Sequence, residues 1–269
     1  MEAVRSLTRR RRTPLTRAYL AYEPALLGTL GIVALISGWE VCSRAGALNP
    51  LILSRPTQIA AAGLQLLADG LLGQHVMTSL EEFAAGFALA LVAGIPLGFL
   101  MGWNRTVEYV LDPFVWFLYS APLIAFYPLF ILWFGLGGPT VVAITFLLTI
   151  FPLMVNTMAG IQHIDWALIR VARAFGASSA EIFWKIALPG ALPIVLAGVR
   201  LATGRALVGV VVGEMFGASA GVGFAVRFYG SHLQMPQLFV FLAVIAALGV
   251  SLTQGLRYLE TRLMPWSVQ

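Results

Sequence analysis

The strongest constraint on this chain is the recurrence of apolar runs long enough to cross a bilayer. A spanning helix needs about 20 mostly apolar residues, because that length at about 1.5 Å of rise per residue covers the hydrocarbon core. Such runs are read at residues 25–41, 83–103, 114–134, 140–160, 191–215 and 238–256. Between the first two lies a more polar stretch holding Pro50, Arg55 and Pro56, then an amphipathic segment at 58–72 expected at the membrane interface. In hydrocarbon every backbone N–H and C=O needs an internal partner, which a helix supplies within one segment. The expected fold is therefore all-α: a polytopic membrane protein of about six transmembrane helices. Pro122 and Pro128 interrupt the third run, so that helix is expected to be kinked or broken.

Composition agrees. Hydrophobic residues make up 59% of the 269 and charged residues 11%, with a mean hydropathy of +0.86. A soluble domain is about 25% charged. The net charge of +5 could point to nucleic acid, but six of the seventeen basic residues crowd the first seventeen positions: Arg5, Arg9, Arg10, Arg11, Arg12 and Arg17. A basic cluster abutting an apolar span fits an anionic leaflet instead, and no nucleic-acid partner is expected. The segment lacks a small-residue cleavage site, so residues 1–24 read as a retained basic tail and 25–269 as the membrane domain. Cys42 is the single cysteine, and His75, His163 and His232 are scattered without acidic companions. No disulfide, metal site or bound cofactor is expected.

Orientation follows from Lys and Arg. With both termini in the cytoplasm, the inner side holds the six N-terminal arginines, Arg105, Arg170, Arg173, Lys185, Arg257 and Arg262. The outer side holds only Arg44, Arg55 and Arg227. This bias puts the polar island between the fourth and fifth spans, about 162–189, in the cytoplasm. Its chemistry predicts two short helices joined by a turn. Asp165 is a natural N-cap, Gly176 can take the left-handed conformation that ends a helix, and Ser178 with Glu181 forms a capping box. Pro189 is expected to mark the next boundary. A structured helix pair between spans reads as a docking element.

Small residues recur at every fourth position in two spans: Gly86, Ala90, Gly94, Gly98 and Gly102, then Gly209, Gly213, Gly217 and Gly221. Such a stripe lets another backbone approach closely. Ordinary packing within one subunit is the preferred reading, and a sliding contact at a dimer seam or pathway the alternative. Arg200, Arg205 and Glu214 are ionisable residues inside a span, which mark function by default. Arg200 is near enough to the inner end to snorkel. Arg205 and Glu214 fall on nearly opposite helix faces and are not expected to pair. Glu214 lines the pathway or outer gate, or else fixes packing through a salt bridge. In the aromatic third span, Tyr119, Phe126 and Tyr127 are candidate contacts for a planar solute. The glycine-rich run 218–223 reads as a flexible outer turn.

The island resembles the cytoplasmic coupling loop, or EAA loop, of ABC importer permeases, whose glycine and terminal Ile-x-Leu-Pro match Gly176 and Ile186, Leu188, Pro189. The runs 96–102, 111–113, 128–135 and 200–214 are similar to the subgroup for nitrate, taurine and alkanesulfonates. The resemblance implies that Arg170, Ala172, Arg173, Gly176, Ser178, Ile186, Leu188 and Pro189 contact a separate ATPase. It also implies two ATPase copies carrying ATP and Mg, a second permease copy, an external binding protein, and a place in a bacterial inner membrane. One departure stands out: where the family often begins its loop Glu-Ala-Ala, this chain has Arg170, Val171 and Ala172. No phosphate-binding Gly-x-x-x-x-Gly-Lys-Ser/Thr loop is present, so the chain is not expected to hydrolyse ATP. The competing class is an ion-gradient-driven secondary transporter, which would show an inverted repeat between its halves. None is evident. An intramembrane enzyme would need clustered catalytic groups, and none is visible.

Overall fold

The computed structural model describes residues 14–263 except 48, 50 and 51, with the backbone alone for 14–26 and 263. Among the described residues the fold is all helical. The chain divides into two compact units, Met1–Ala62 and Gly63–Gln269. The first unit holds α1 (Pro14–Arg44) and the start of α2 (Pro56–Ala68). There Glu40 accepts hydrogen bonds from Arg44 and from the backbone and hydroxyl of Thr57, tying the end of α1 to the start of α2. The expected tail lies outside the described residues up to position 13. From Pro14 onward the backbone is already helical, so α1 begins before the expected boundary at 25.

In the second unit, α3 (Leu71–Trp103) is one unbroken helix. The second span therefore starts well before position 83. α4 (Arg105–Ser120) follows a turn in which the Asn104 side chain accepts from the Thr106 and Val107 amides. A 3-10 turn at Leu123–Phe126 then leads to α5 (Tyr127–Phe134), bent 85° away from α4. The expected break is present at Ala121–Pro122. Pro128, by contrast, sits in the first turn of α5, where its missing N–H costs nothing, so it starts a helix rather than breaking one.

α6 (Gly138–Gln162) leads to α7 (Trp166–Ala174) and α8 (Ser179–Ile182). A π-helical turn at Phe183–Ala187 carries α8 directly into α9 (Leu188–Gly217). Pro189 is therefore no boundary. Its missing N–H and its ring are accommodated in the first turn of α9, after a widened turn whose bonds reach one residue further, Leu188 N–H to the Phe183 carbonyl. α10 (Val222–Ser231) and α11 (Met235–Leu263) complete the unit.

Four helical segments among the described residues are long and apolar enough to cross a membrane: α3, α6, Ser179–Gly217 and α11. The bent pair α4–α5 makes a fifth if counted as one span. The expected first span falls within α1, part of which has no described side chains, and it is not among these.

The core is a layer of three helices with α6 in the middle. The α3 stripe faces it: a Cβ added at Gly86 would stand 2.7 Å from Thr145 Cβ, and one at Gly102 would stand 2.7 Å from Ile161 Cβ. The α9 stripe covers another side, where a Cβ at Gly209 would stand 2.9 Å from Thr145 Cα and one at Gly213 3.0 Å from Val141. Both stripes thus serve packing within one subunit, as preferred from the sequence.

Candidate functional site

Two polar regions stand out from the apolar framework: the island between α6 and α9, and a buried centre where α3, α9 and α10 meet. In the island, Asp165 accepts from the Ala167 amide at 2.8 Å and starts α7. Gly176, at φ +81°, ends it. The Gly176 N–H bonds the Arg173 carbonyl and the Ala177 N–H bonds the Ala172 carbonyl, the paired closure typical of a glycine at this position. The Ser178 hydroxyl accepts from the Glu181 amide, and the Glu181 carboxylate accepts from the Ser178 amide, so the expected capping box is complete.

Ile169 and Ile182 are buried in the core beside Ile161 and Ile164 and root the loop there. Arg170, Arg173, Gly176, Ser178 and Pro189 are exposed, and Ala172, Ile186 and Leu188 are half-buried. Leu168, Val171, Phe175 and Trp184 are also exposed, Phe175 at 88%. Ala172, Phe175, Gly176, Glu181, Lys185 and Ile186 surround a groove of about 340 Å³. The sequence reading missed the apolar members of this surface. Leu168 and Val171 could have been seen as large side chains on α7 turned away from Ile169.

In the buried centre, Glu214 has no exposed surface. Its carboxylate accepts from the Ser79 hydroxyl at 2.5 Å and the Gly223 amide at 2.6 Å. The Ser79 oxygen in turn accepts from the Val222 amide at 2.8 Å, and His75 Nδ1 accepts from the Gly221 amide at 3.1 Å. Three amides at the start of α10 are thus held by side chains from other helices, two of them from α3. This satisfies donors a helix leaves open at its N-terminus. Glu82 of α3 is a second buried carboxyl, one helical turn from Ser79, and its Oε2 has no hydrogen-bond partner. The run 218–223 is therefore a pinned turn, not a flexible one. Gly221 (φ +105°) and Gly223 leave room for the Glu214 carboxyl and the Val211 carbonyl. Glu214 meets hydroxyl and amide donors here rather than a salt-bridge cation. Ser79 and Glu82 precede the apolar run 83–103, so nothing in the sequence marks them as buried in a span.

The remaining candidates separate. Tyr127 is buried and donates to the Gly213 carbonyl at 2.9 Å, while Phe126 is exposed after the break. Arg205 lies over the Tyr119 ring at 5.7 Å, on an open face of α9 unlike that of Glu214. Arg200 pairs with Glu260 of α11.

Residues 94–264 match the family of binding-protein-dependent transport system inner membrane components. The chain belongs to this family. As a permease of that kind it is 34% identical to the taurine transport system permease protein TauC of Escherichia coli (strain K12), over 89% of this chain and 88% of the other. It is 34% identical to the formylaminopyrimidine transport permease protein ThiX of Halalkalibacterium halodurans, over 93% and 98%. It is 33% identical to the putative aliphatic sulfonates transport permease protein SsuC of Bacillus subtilis (strain 168), over 89% and 87%. Its fold is that of a chain of the MetNI methionine ABC transporter in an inward-facing form, with a TM-score of 0.58, 20% identity and coverage of 74% of this chain and 97% of that one. The permease is a multi-pass membrane subunit of an ABC importer, as its motifs implied.

Proposed function

We propose that this permease works as one of two copies in an importer whose ATP hydrolysis resides on a separate pair of subunits, and that α7 and α8 are where each of those subunits docks. The observation that carries the reading is the form of the island: a helix closed by Gly176, a second opened by a capping box, and a rim of outward apolar side chains rooted by Ile169 and Ile182. Large apolar groups presented together on a structured loop favour a protein partner over water. α8 runs into α9 without interruption, so a displacement of the loop would be passed into the membrane as a rigid-body movement. The basic-residue bias supports a cytoplasmic loop and cytoplasmic termini in a bacterial inner membrane. In this reading ATP and Mg stay on the ATPase subunits, this chain binds no cofactor, and an external binding protein delivers a small polar solute of the range named for the relatives. Arg170 and Arg173 would meet an acidic or neutral surface of the ATPase.

Gly176→Val tests the proposal. A β-branched side chain in the left-handed region costs about 1–2 kcal/mol and redirects the turn. In proteoliposomes with the cognate ATPase, the variant is expected to insert normally but lose ATPase co-purification and ATP-driven uptake. Normal co-purification and uptake would remove the loop from the coupling path. Uptake driven by an ion gradient without the ATPase would favour a secondary transporter instead.

A further inference from the structure

α9 carries two arginines one turn and a residue apart, and they differ in kind. Arg200 has its charge answered by Glu260, a buried carboxylate on α11. Arg205 has no ion pair or hydrogen bond with any described residue. A guanidinium stays charged at any ordinary pH, so burial cannot neutralise it. At about 1.5 Å of rise per residue, Arg205 stands roughly 15 Å from the outer end of the apolar run 191–215 and roughly 21 Å from its inner end. Neither end of the span is close enough for its side chain to reach bulk water by snorkelling, and an unanswered charge at that depth needs a wet cavity or a ligand.

The surroundings supply the second half of the argument. The Arg205 guanidinium lies over the face of Tyr119, whose ring is fixed edge-on against Trp116 at 5.8 Å and packs on the core. Directly after Tyr119 the third span breaks: α4 ends at Ser120, Ala121 is extended, Pro122 turns the chain so that the Leu123 N–H bonds the Ala121 carbonyl, and α5 leaves at 85°. Non-helical backbone at membrane depth persists only where protein buries it or a water-filled cavity meets it, and Ser120 and Pro122 are both exposed. The face of α9 around Arg205 is equally open. Leu201 and Val208 are exposed on either side, and nothing lies within 4 Å of where a side chain at Gly204 would stand.

We propose that Arg205 and Tyr119, beside the break in the third span, form a binding station for the oxyanion group of the transported solute. This inference rests on the reading of the chain as the wall of a solute pathway. The aromatic face holds the guanidinium from one side by cation–π attraction and leaves its edge donors free. Those donors form a planar fork that fits the two oxygens of a carboxylate or sulfonate. The station selects for an anionic group and leaves the rest of the solute unspecified.

Phenylglyoxal modification tests this in the unaltered chain, reconstituted with its ATPase in phosphatidylcholine vesicles. The extent of reaction is read by mass spectrometry on the peptide carrying Arg205. Arg205 is expected to react, and methanesulfonate is expected to slow the reaction by about fivefold or more, as a charge-assisted bidentate contact would. The neutral methanesulfonamide, of similar size, should not slow it. An unreactive Arg205 would mean that lipid or the second copy covers it and would overturn the station, as would equal effects of the two probes. If replacing part of the lipid with phosphatidylglycerol alone protects Arg205, the oxyanion is a headgroup phosphate and the solute station is wrong. Tyr119→Leu should leave Arg205 reactive but reduce the protection severalfold; unchanged protection would overturn the two-residue site. Co-purification of the ATPase is scored in the same samples. Its loss would count against the docking reading while the protection pattern still reports on the station.

Discussion

α6 and α11 are both apolar enough to cross a bilayer, yet the protein buries 61% of the spanning window of α6 and only 11% of that of α11. In water such a difference would be read from hydrophobicity. In a membrane, lipid tails are as apolar as leucine, and what buries a helix is how closely its neighbours can approach. α6 is enclosed because α3 and α9 present glycines to it. α11 meets its neighbours over a smaller surface and leaves large side chains such as Val250 exposed. Apolar composition thus says that a segment lies in the membrane, and small-residue spacing on its partners says whether it lies at the centre.

The largest effect that could break this comparison is expected at Gly98. A Cβ there would stand 2.6 Å from the Met154 carbonyl and 2.7 Å from Thr157 Cβ, so Gly98→Leu should force α3 off α6 and cost about 3 kcal/mol or more. Thermal unfolding in detergent and the yield of monodisperse protein measure it. Gly255→Leu on α11, where nothing lies within 4 Å, is the matched control and should be silent. If the two variants behave alike, close approach is not what sets the core.

A smaller loss is expected from Glu214→Ala. It leaves the Gly223 amide and the Ser79 hydroxyl buried without their acceptor, at a cost of about 2–3 kcal/mol. Hydrogen exchange should rise at the start of α10 while α6 stays protected; exchange spreading to α6 would mean that the buried centre and the glycine core unfold as one. Smallest of all is Val250→Ala on the exposed face of α11, expected within about 0.5 kcal/mol in lipid. A substantially larger loss would reveal a protein neighbour on that face and sharpen the account of α11.

What could be read in the sequence was local. The turn at Gly176 and the capping box of Ser178 and Glu181 depend on residues within a few positions of one another, so their chemistry is visible in the chain itself. The break at Pro122 was visible for the same reason. The partner of each glycine stripe was not, because α6 meets both stripes mainly through Val141, Thr145, Leu153 and Thr157, which keep the four-residue spacing but are ordinary membrane-helix side chains with nothing small to mark them. Pro189 misled because a π-turn absorbs it, and a change of hydrogen-bond register leaves no mark on composition. The setting of Glu214 was hidden for a different reason. Its donors come from Ser79 and the α10 backbone, far away in the chain or anonymous as backbone, and the apolar count that placed the second span at 83 excluded the helical turns that hold Ser79 and Glu82.

The enclosure of α6 also sets an order on biosynthesis. A chain made from its N-terminus presents α6 when α3, α4 and α5 are available to cover it but α9 is not, and the island of α7 and α8 must emerge before α9 exists. Until then the flank of α6 at Val141, Thr145 and Asn156 is shaped for a backbone that has not been made. A nascent permease halted at residue 187 would therefore sit in the bilayer with its spans inserted and its central helix half bare. To the cell's surveillance it would be an unfinished protein, even with most of its mass already in place.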